Sequence, residues 1–308
     1  MELIVKYRLD SEEWAVIYLF NEILKSLREK FNDITFTYKP IMEFPHWVGT
    51  PRHGSLIIEN PINKKTIVLT YDDNPKNILI QTENTEWDVS KIQKMYCVST
   101  ISDIKKDKDF LNKLSNINVD EIIEPFSYLV YRTEFDKTFS DNFYLKKQPS
   151  HLRKEQLFFR GLSYGEREFI MNNCTHPQII VTNKDFKNLP EYVDELIEYR
   201  CGLSFTGAAE ICNRDMELMS LGIPIIRPYL TTTQFKEPLI PNVHYIPFGG
   251  ISLPEKLDGL IKKWEEVKNN YEFLEYIGDN AREWYLRNAK LDSQINLFIN
   301  SINLNILK

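Results

Sequence analysis

The chain has 308 residues, of which 43% are hydrophobic and 27% are charged, and its formal net charge at pH 7 is -6. This composition argues against a disordered chain, and the length suits two domains of average size. The negative net charge argues against a nonspecific nucleic-acid binder, because that affinity comes mainly from clustered lysine and arginine.

Cysteine spacing and the first residues predict the compartment. The four cysteines, at positions 97, 174, 201 and 212, have no paired spacing, so we expect reduced thiols with neither a metal knot nor a disulfide framework. Residues 1–10 alternate apolar and charged side chains, and no later run approaches membrane-spanning length. The expectation is a cytoplasmic protein without a transmembrane segment.

The first half of the sequence predicts an α/β domain. Residues 2–8 are typical of a strand, Asp10 or Ser11 can cap a helix that continues through Leu27, and residues 34–38 return to strand. Further short apolar runs predict strands with some hairpin character, at 55–59, 66–71, 78–81 and 95–99. Residues 136–152 are polar, which places the predicted boundary between an acceptor-side domain, 1–150, and a nucleotide-sugar domain, 151–308.

The second half alternates strands and helices more regularly. Strands are predicted at 156–160, 178–182, 202–205 and 223–227, and helices at 166–173, 191–199 and 210–221. This alternation favours a doubly wound, Rossmann-like domain. A last strand near 244–247 precedes three predicted helices, at 254–269, 272–289 and 292–302.

A small-residue turn lies inside the segment from Tyr199 to Pro228. Thr206 and Gly207 stand where this turn meets the following helix, so free backbone N–H groups and the helix dipole are placed to meet a diphosphate. The turn therefore predicts an anion site.

The helix after this turn carries a polar stripe, because Glu210, Asn213, Arg214 and Glu217 are spaced to share one face. Arg214 offers a planar fork of donors to the diphosphate and would stabilise the charge on a departing nucleotide. Glu217 would accept hydrogen bonds from ribose hydroxyls. The alternative is a solvated helix face with internal ion pairs.

A second candidate for anion binding follows the predicted strand 156–160. Arg160 and Gly161 end that strand, and Arg167 lies in the helix that begins shortly afterwards. The alternative is an ordinary loop in which Arg167 pairs with Glu166 or faces solvent.

The first half offers candidates for a general base. Asp72 and Asp73 follow the run 66–71, at a strand end where loop residues commonly face a cleft, although a capped turn is the alternative. The loop 44–54 contains His46 and Trp47, which could serve as a general base or as a surface that stacks on a sugar. The alternative is a packed surface loop without a catalytic role. The DxD-like residues 107–109 lie in a lysine-rich stretch and are interpreted as solvated surface, so no metal site is predicted.

The residues of the second half resemble a known family. The run 198–247 contains Asn213-Arg214, Gly222-Ile-Pro-Ile-Ile, and Pro238-Leu-Ile-Pro-Asn-Val-His-Tyr-Ile-Pro, and Phe159-Arg160-Gly161 precedes it with Arg167 downstream. These residues resemble glycosyltransferase family 90 and its capsule-associated and protein O-glucosyltransferase relatives. The resemblance covers about the carboxyl-terminal half, and Glu210 departs from the family's pattern.

The resemblance implies a GT-B-like α/β fold, with two Rossmann-like domains facing across a cleft and further helices at the carboxyl end. It also implies a nucleotide-diphosphate sugar donor, with UDP favoured, and an inverting transfer to a carbohydrate acceptor without an obligatory metal or other cofactor. Carried over by position, Arg160 and Arg167 would touch the diphosphate region and Arg214 the diphosphate itself. The nucleotide pocket would be lined by Thr206, Gly207, Ala208 and Ala209.

Three further hypotheses remain open from the sequence. The spacing of Glu210 and Glu217 is one residue shorter than the paired glutamates of many retaining GT-B enzymes, so retaining chemistry is an alternative. A sugar-nucleotide epimerase or a phosphate-transferring enzyme could use the same diphosphate cradle. A non-catalytic nucleotide-sugar-binding module would keep the fold without a base.

Overall fold

A computed structural model describes residues 2–7, 14–40, 54–71, 89–97, 112, 121, 123–125, 140–184, 187–206, 211–230 and 237–308. These described residues divide into two compact units. The first unit takes the described residues of 1–131 together with 291–308, and the second takes those of 132–290.

The first unit contains a mixed sheet. Its described strands are β1 (Glu2–Tyr7), β2 (Thr35–Pro40), β3 (Gly54–Glu59), β4 (Thr66–Tyr71), β5 (Ile92–Cys97) and β6 (Ile123–Pro125). Their order is β2-β1-β3-β4-β5-β6, and β3 runs antiparallel to both neighbours while the other pairs are parallel. The predicted hairpin character is confirmed, and the antiparallel β3 distinguishes this sheet from the wholly parallel sheet of a Rossmann-like domain.

Two of the described helices cover one face of this sheet. They are α1 (Trp14–Lys30) and, from the far end of the chain, the helix Leu291–Ser301. Phe298 of the latter is 1% exposed and packs edge-on against Tyr96, with ring centroids 4.7 Å apart. Asn60 of the first unit also donates a hydrogen bond of 2.9 Å to the Leu307 carbonyl.

The last residues therefore belong to the first core. The predicted domains, 1–150 and 151–308, differ from the observed division at 131/132 and 290/291. The physical reason is the apolar face of the final helix, whose Leu291, Ile295, Phe298 and Ile299 share one core cluster with α1 and β1. Periodicity shows that a helix has an apolar face but not which core that face joins.

The second unit contains a wholly parallel sheet. Its described strands are β7 (Lys154–Arg160), β8 (Ile179–Thr182), β9 (Tyr199–Leu203), β10 (Ile225–Pro228) and β11 (Ile246–Phe248). The sheet order β11-β10-β9-β7-β8 is the 2-1-3-4-5 order of a doubly wound fold. The Rossmann-like topology predicted for this half is confirmed.

The helices of the second unit keep the predicted alternation. They are α2 (Ser140–Lys146), α3 (Glu166–Asn173), α4 (Leu189–Glu198), α5 (Asn213–Ser220), α6 (Leu253–Val267) and α7 (Tyr271–Asn288), and the helix Leu291–Ser301 of the first unit is α8. Local sequence fixes several of their starts. Asn188 caps α4 by accepting from the Glu191 N–H, and Ser252 caps α6 in a capping box with Glu255.

Helices lie on both faces of the parallel sheet. Ile170 of α3 shares a core cluster with Phe159 and Leu203, which point to one face. Gly202 points to the other face, where α5 packs so closely that a Cβ atom there would lie 2.9 Å from Cγ of Leu218. The helices that follow β7 and β9 thus lie on opposite faces, which makes the carboxyl ends of these two strands the topological switch point.

Candidate anion site at the carboxyl ends of β7 and β9

The ring of Phe159 is the centre of the candidate site. Phe159 is the penultimate residue of β7 and is 1% exposed. The guanidinium carbon of Arg167 lies 5.4 Å from the ring centroid and that of Arg214 lies 5.2 Å from it. Two predicted site arginines, which are distant in sequence and come from helices on opposite faces of the sheet, therefore share one aromatic ring at the switch point.

Arg167 is the second residue of α3. The helix is preceded by Gly165, whose φ of 55° is a left-handed conformation that glycine adopts readily, and no side chain caps it. Arg167 is only 8% exposed, and its Nε atom is buried with no hydrogen-bond partner in the described part of the chain. Its guanidinium also stacks 4.6 Å from the ring centroid of Tyr164.

The alternative interpretation, in which Arg167 pairs with Glu166, does not hold. Glu166 is bound instead by Lys256 of α6, with 3.2 Å between Nζ and Oε2. No carboxylate among the described residues lies within ion-pair distance of Arg167, so its buried charge lacks a counter-ion there. Such a charge is costly unless a ligand or an ion compensates it.

Arg214 is the second residue of α5, so it repeats the position that Arg167 has in α3. The predicted helix began at Glu210, and this start is wrong, because α5 begins at Asn213 with Cys212 as its N-cap. Cys212 has extended dihedral angles, and its N–H donates to the Asp215 side chain over 2.8 Å. The later start brings Arg214 from the predicted second turn into the first turn of the helix, at the positive end of the helix dipole.

The guanidinium of Arg214 is held in a fixed orientation. It lies 4.8 Å from the ring centroid of Tyr192, its Nε is 3.6 Å from Glu217 Oε2, and its Nη2 donates to the Arg160 carbonyl. Glu217 is 2% exposed and accepts a hydrogen bond of 2.8 Å from the Tyr192 hydroxyl. These contacts make Glu217 an orienting partner of Arg214. The ribose contact expected of Glu217 stays a prediction.

Arg160 is satisfied by the protein itself. Its Nε and Nη2 donate to the two carboxylate oxygens of Glu195, each over 2.8 Å, and its Nη1 donates to the Lys184 carbonyl. Burial alone would raise the pKa of Glu195, but hydrogen bonds from Arg160 and Lys187 outweigh it and hold that pKa below its usual range. The described contacts of Arg160 thus join the end of β7 to α4 and to the segment after β8, whereas no carboxylate among the described residues pairs with Arg167.

The remaining predicted residues have different positions. Gly161 follows β7 at the site, where a Cβ atom would lie 2.9 Å from the Phe159 ring and 3.8 Å from Arg214 Nη2. Thr206 is exposed after β9, and Asn213 is the first residue of α5. Gly207, Ala208, Ala209 and Glu210, the loop 44–53, the base candidates Asp72 and Asp73, and residues 107–109 lie outside the described residues.

Sequence reasoning missed two pairs of residues around Arg214. Tyr192 and Glu195 of α4 reach the site arginines, and their spacing of three on one helix face was the available signal. Asp215 and Arg227 form a fully buried ion pair, with 2.7 Å between Oδ1 and Nη1. The signal for this pair was a charged residue, Arg227, inside an otherwise apolar strand.

Buried neutral thiols are a further feature of the second unit. Burial raises the pKa of Cys212 to about 12 and that of Cys201 to about 12, so both remain neutral thiols near neutral pH. Within the described ranges no cluster of three His, Cys, Asp or Glu side chains is arranged to hold a metal ion. None of the helices described combines the length and apolar character that a bilayer crossing requires.

Comparisons with known proteins give distant structural similarities. No protein-family model matches the sequence, and no curated protein matches it. A crystal structure described as a glycosyltransferase from Rickettsia africae ESF-5 aligns with 100% of this chain and 98% of its own chain, at 12% identity and a TM-score of 0.44.

Proposed function

We propose that the chain is a glycosyltransferase that binds a nucleoside-diphosphate sugar at the carboxyl ends of β7 and β9. The observation that carries the proposal is the pair of second-position arginines, Arg167 and Arg214, that converge on Phe159 from the first turns of two helices. The dipoles of the two helices and the planar guanidinium groups together favour a diphosphate. The resemblance of the same residues to glycosyltransferase family 90 supports a sugar nucleotide as the ligand.

The two arginines would act mainly on the leaving group. In the transfer, an acceptor hydroxyl oxygen attacks the anomeric carbon while the bond from that carbon to the β-phosphate oxygen breaks. Negative charge then develops on the departing diphosphate, where Arg214, oriented by Glu217 and Tyr192, and the uncompensated Arg167 would stabilise it. The hydroxyl proton would pass to a carboxylate of the first unit, for which Asp72 and Asp73 remain the candidates.

Finer features of the proposal come from the family resemblance. They are a GT-B arrangement of the two units, a UDP-sugar donor, a carbohydrate or glycoprotein acceptor, and an inverting reaction without an obligatory metal. A role in polysaccharide biosynthesis would follow from such an acceptor. The parallel sheet of the second unit, with its 2-1-3-4-5 order, is compatible with the donor-binding half of that fold.

The first experiment measures nucleotide binding and donor turnover. UDP, GDP and CMP are titrated into the protein, and release of nucleoside diphosphate from UDP- and GDP-sugars is followed with and without oligosaccharide acceptors. We expect saturable binding of UDP. Arg214→Gln should reduce kcat by about 100- to 1,000-fold, the usual effect of losing one donor to a developing charge.

The matched control is Arg287→Gln, because Arg287 is 52% exposed and pairs with Glu237 on the surface of α7. This variant should keep wild-type binding and turnover. Saturable UDP binding without any turnover would reject the transferase and favour the non-catalytic module. Failure to bind any nucleotide would reject the whole proposal.

A further inference from the structure

A charged pair is buried beneath the proposed diphosphate site. Asp215 of α5 and Arg227 of β10 are each 0% exposed, and Nη1 approaches Oδ1 to 2.7 Å. The approach lacks the alignment of a hydrogen bond, so opposite charge holds the two groups together at this point. Asp215 is the residue directly after Arg214.

Asp215 also closes the start of α5. Its second oxygen, Oδ2, accepts the Cys212 N–H over 2.8 Å, and the Cys212 side chain accepts from the Asp215 N–H in return. A carboxylate at this third helical position is a common capping device. Here the cap has a disadvantage, because it puts a negative charge in the same helical turn that would receive an anion.

Arg227 is placed to cancel that charge. It reaches Asp215 from the neighbouring strand, its Nε donates to the Pro228 carbonyl over 3.4 Å, and its guanidinium lies 6.0 Å from the Tyr245 ring centroid. The Tyr245 hydroxyl accepts the Leu230 N–H over 3.3 Å, which ties the end of β10 to the same ring. These contacts fix the orientation of the Arg227 guanidinium against Asp215 of α5.

Fold stability alone gives a weak reason for this pair. Buried ion pairs often contribute no more to stability than apolar side chains of the same size, since both charges lose their hydration. An apolar pair would leave α5 packed on β9 but would lose the hydrogen bond that fixes its first turn. A charge-balanced cap keeps that bond while leaving the helix end attractive to anions.

We infer that Arg227 is a positioning residue of the diphosphate site, because it neutralises Asp215 and so lets a capping carboxylate order Arg214 without repelling the ligand. This inference rests on the proposed function. It assigns two residues that do not touch the ligand to the control of its affinity. Because the effect is electrostatic, removing the positive charge and removing the negative charge should change the UDP affinity in opposite directions. A purely structural role would not give this difference.

The experiment compares three variants by calorimetric titration with UDP and with inorganic pyrophosphate. Arg227→Met leaves the carboxylate uncompensated and should weaken UDP binding at least tenfold. Asp215→Asn keeps an oxygen for the Cys212 N–H but removes the negative charge, so UDP should bind as tightly as in the wild type or more tightly. The double variant, Asp215→Asn with Arg227→Met, restores neutrality and should return the Kd to within about threefold of the wild type.

Unfolding of each variant without ligand is recorded by calorimetry, so that loss of binding is compared only among folded proteins. If Arg227→Met does not fold, the UDP affinities of Asp215→Asn and of the double variant still test the inference. Both single variants weakening UDP binding to the same extent would overturn the inference and make the pair structural. Wild-type affinity in Arg227→Met would also overturn it. A wild-type protein that binds neither UDP nor pyrophosphate would overturn the proposed function, and the inference with it.

Discussion

Replacement of Arg167 by methionine separates a ligand-binding role from a structural one. Arg167 is 8% exposed, its Nε has no hydrogen-bond partner among the described residues, and its guanidinium carbon lies 5.4 Å from the Phe159 ring centroid and 4.6 Å from that of Tyr164. A methionine thioether can make its own contacts with aromatic rings, and the substitution removes a buried charge without a counter-ion among the described residues. The free energy of unfolding of the ligand-free protein should therefore fall by no more than about 1 kcal/mol. A higher free energy of unfolding is also consistent with the reasoning, because an uncompensated buried charge has been removed.

UDP binding, by contrast, should be strongly weakened by the same substitution. Hydrogen bonds to charged groups contribute about 1.5 to 3 kcal/mol, which corresponds to a UDP affinity that is roughly 10- to 150-fold weaker. The measurements are calorimetric titration with UDP and urea unfolding without it, and Arg287→Met is the control because Arg287 is 52% exposed. A variant that binds UDP normally but loses several kcal/mol of stability would refute a ligand-binding role for Arg167.

Three further predictions concern stability. Gly202→Ala should cost about 1 to 3 kcal/mol by urea unfolding, because the added Cβ meets the buried Leu218 side chain, and an unchanged midpoint would contradict this close packing. Phe298→Ala should lower the free energy of unfolding by about 3 to 5 kcal/mol. It should also remove hydrogen-exchange protection from β1 and β3 but not from β9. Equal loss of protection in both sheets would contradict the assignment of α8 to the first unit. Burial alone would raise the pKa of Glu275, but hydrogen bonds from Ser150 and two nearby cations hold it below its usual range. Stability from this ionised group is present above the unfolded pKa and is lost as the pH falls through the lowered folded pKa. Glu275→Gln should thus cost about 1 to 3 kcal/mol near pH 7 and progressively less below about pH 4, and a pH-independent difference would contradict it.

Much of the second unit's fold could be predicted from sequence. Its buried parallel strands contain short apolar runs, and the regular alternation of these runs with amphipathic helices marks them as strands. The predicted helix 166–173 has the same bounds as α3, and the other helices of this unit for which a range was predicted differ by one to three residues at each end. The start of α5 was missed because cysteine is an unusual cap, so neither Cys212 nor Asp215 signalled the helix end.

The site was only partly predictable for a related reason. Local patterns identified the three arginines: Arg160 stands beside a glycine at a strand end, Arg167 lies in the helix that follows, and Arg214 lies on the polar face of a helix. Which of them is neutralised depends on α4, whose Glu195 binds Arg160, and that contact is tertiary. The pairing of Asp215 with Arg227 is also a tertiary contact. A charged residue inside an apolar strand indicates that a partner exists, but the sequence does not show which residue that partner is.

The position of α8 has a consequence for biosynthesis. The ribosome completes residues 1–131 first, yet the core of the first unit also needs the apolar face of Leu291–Ser301, which emerges much later. The described residues of the second unit all fall within one continuous stretch, 132–290. During vectorial synthesis the second unit can therefore reach its native state before the first one, which reverses the usual amino-terminal-first order. Until then β1, β3 and α1 carry an uncovered apolar surface, so the nascent chain is exposed to chaperones and to aggregation over that interval.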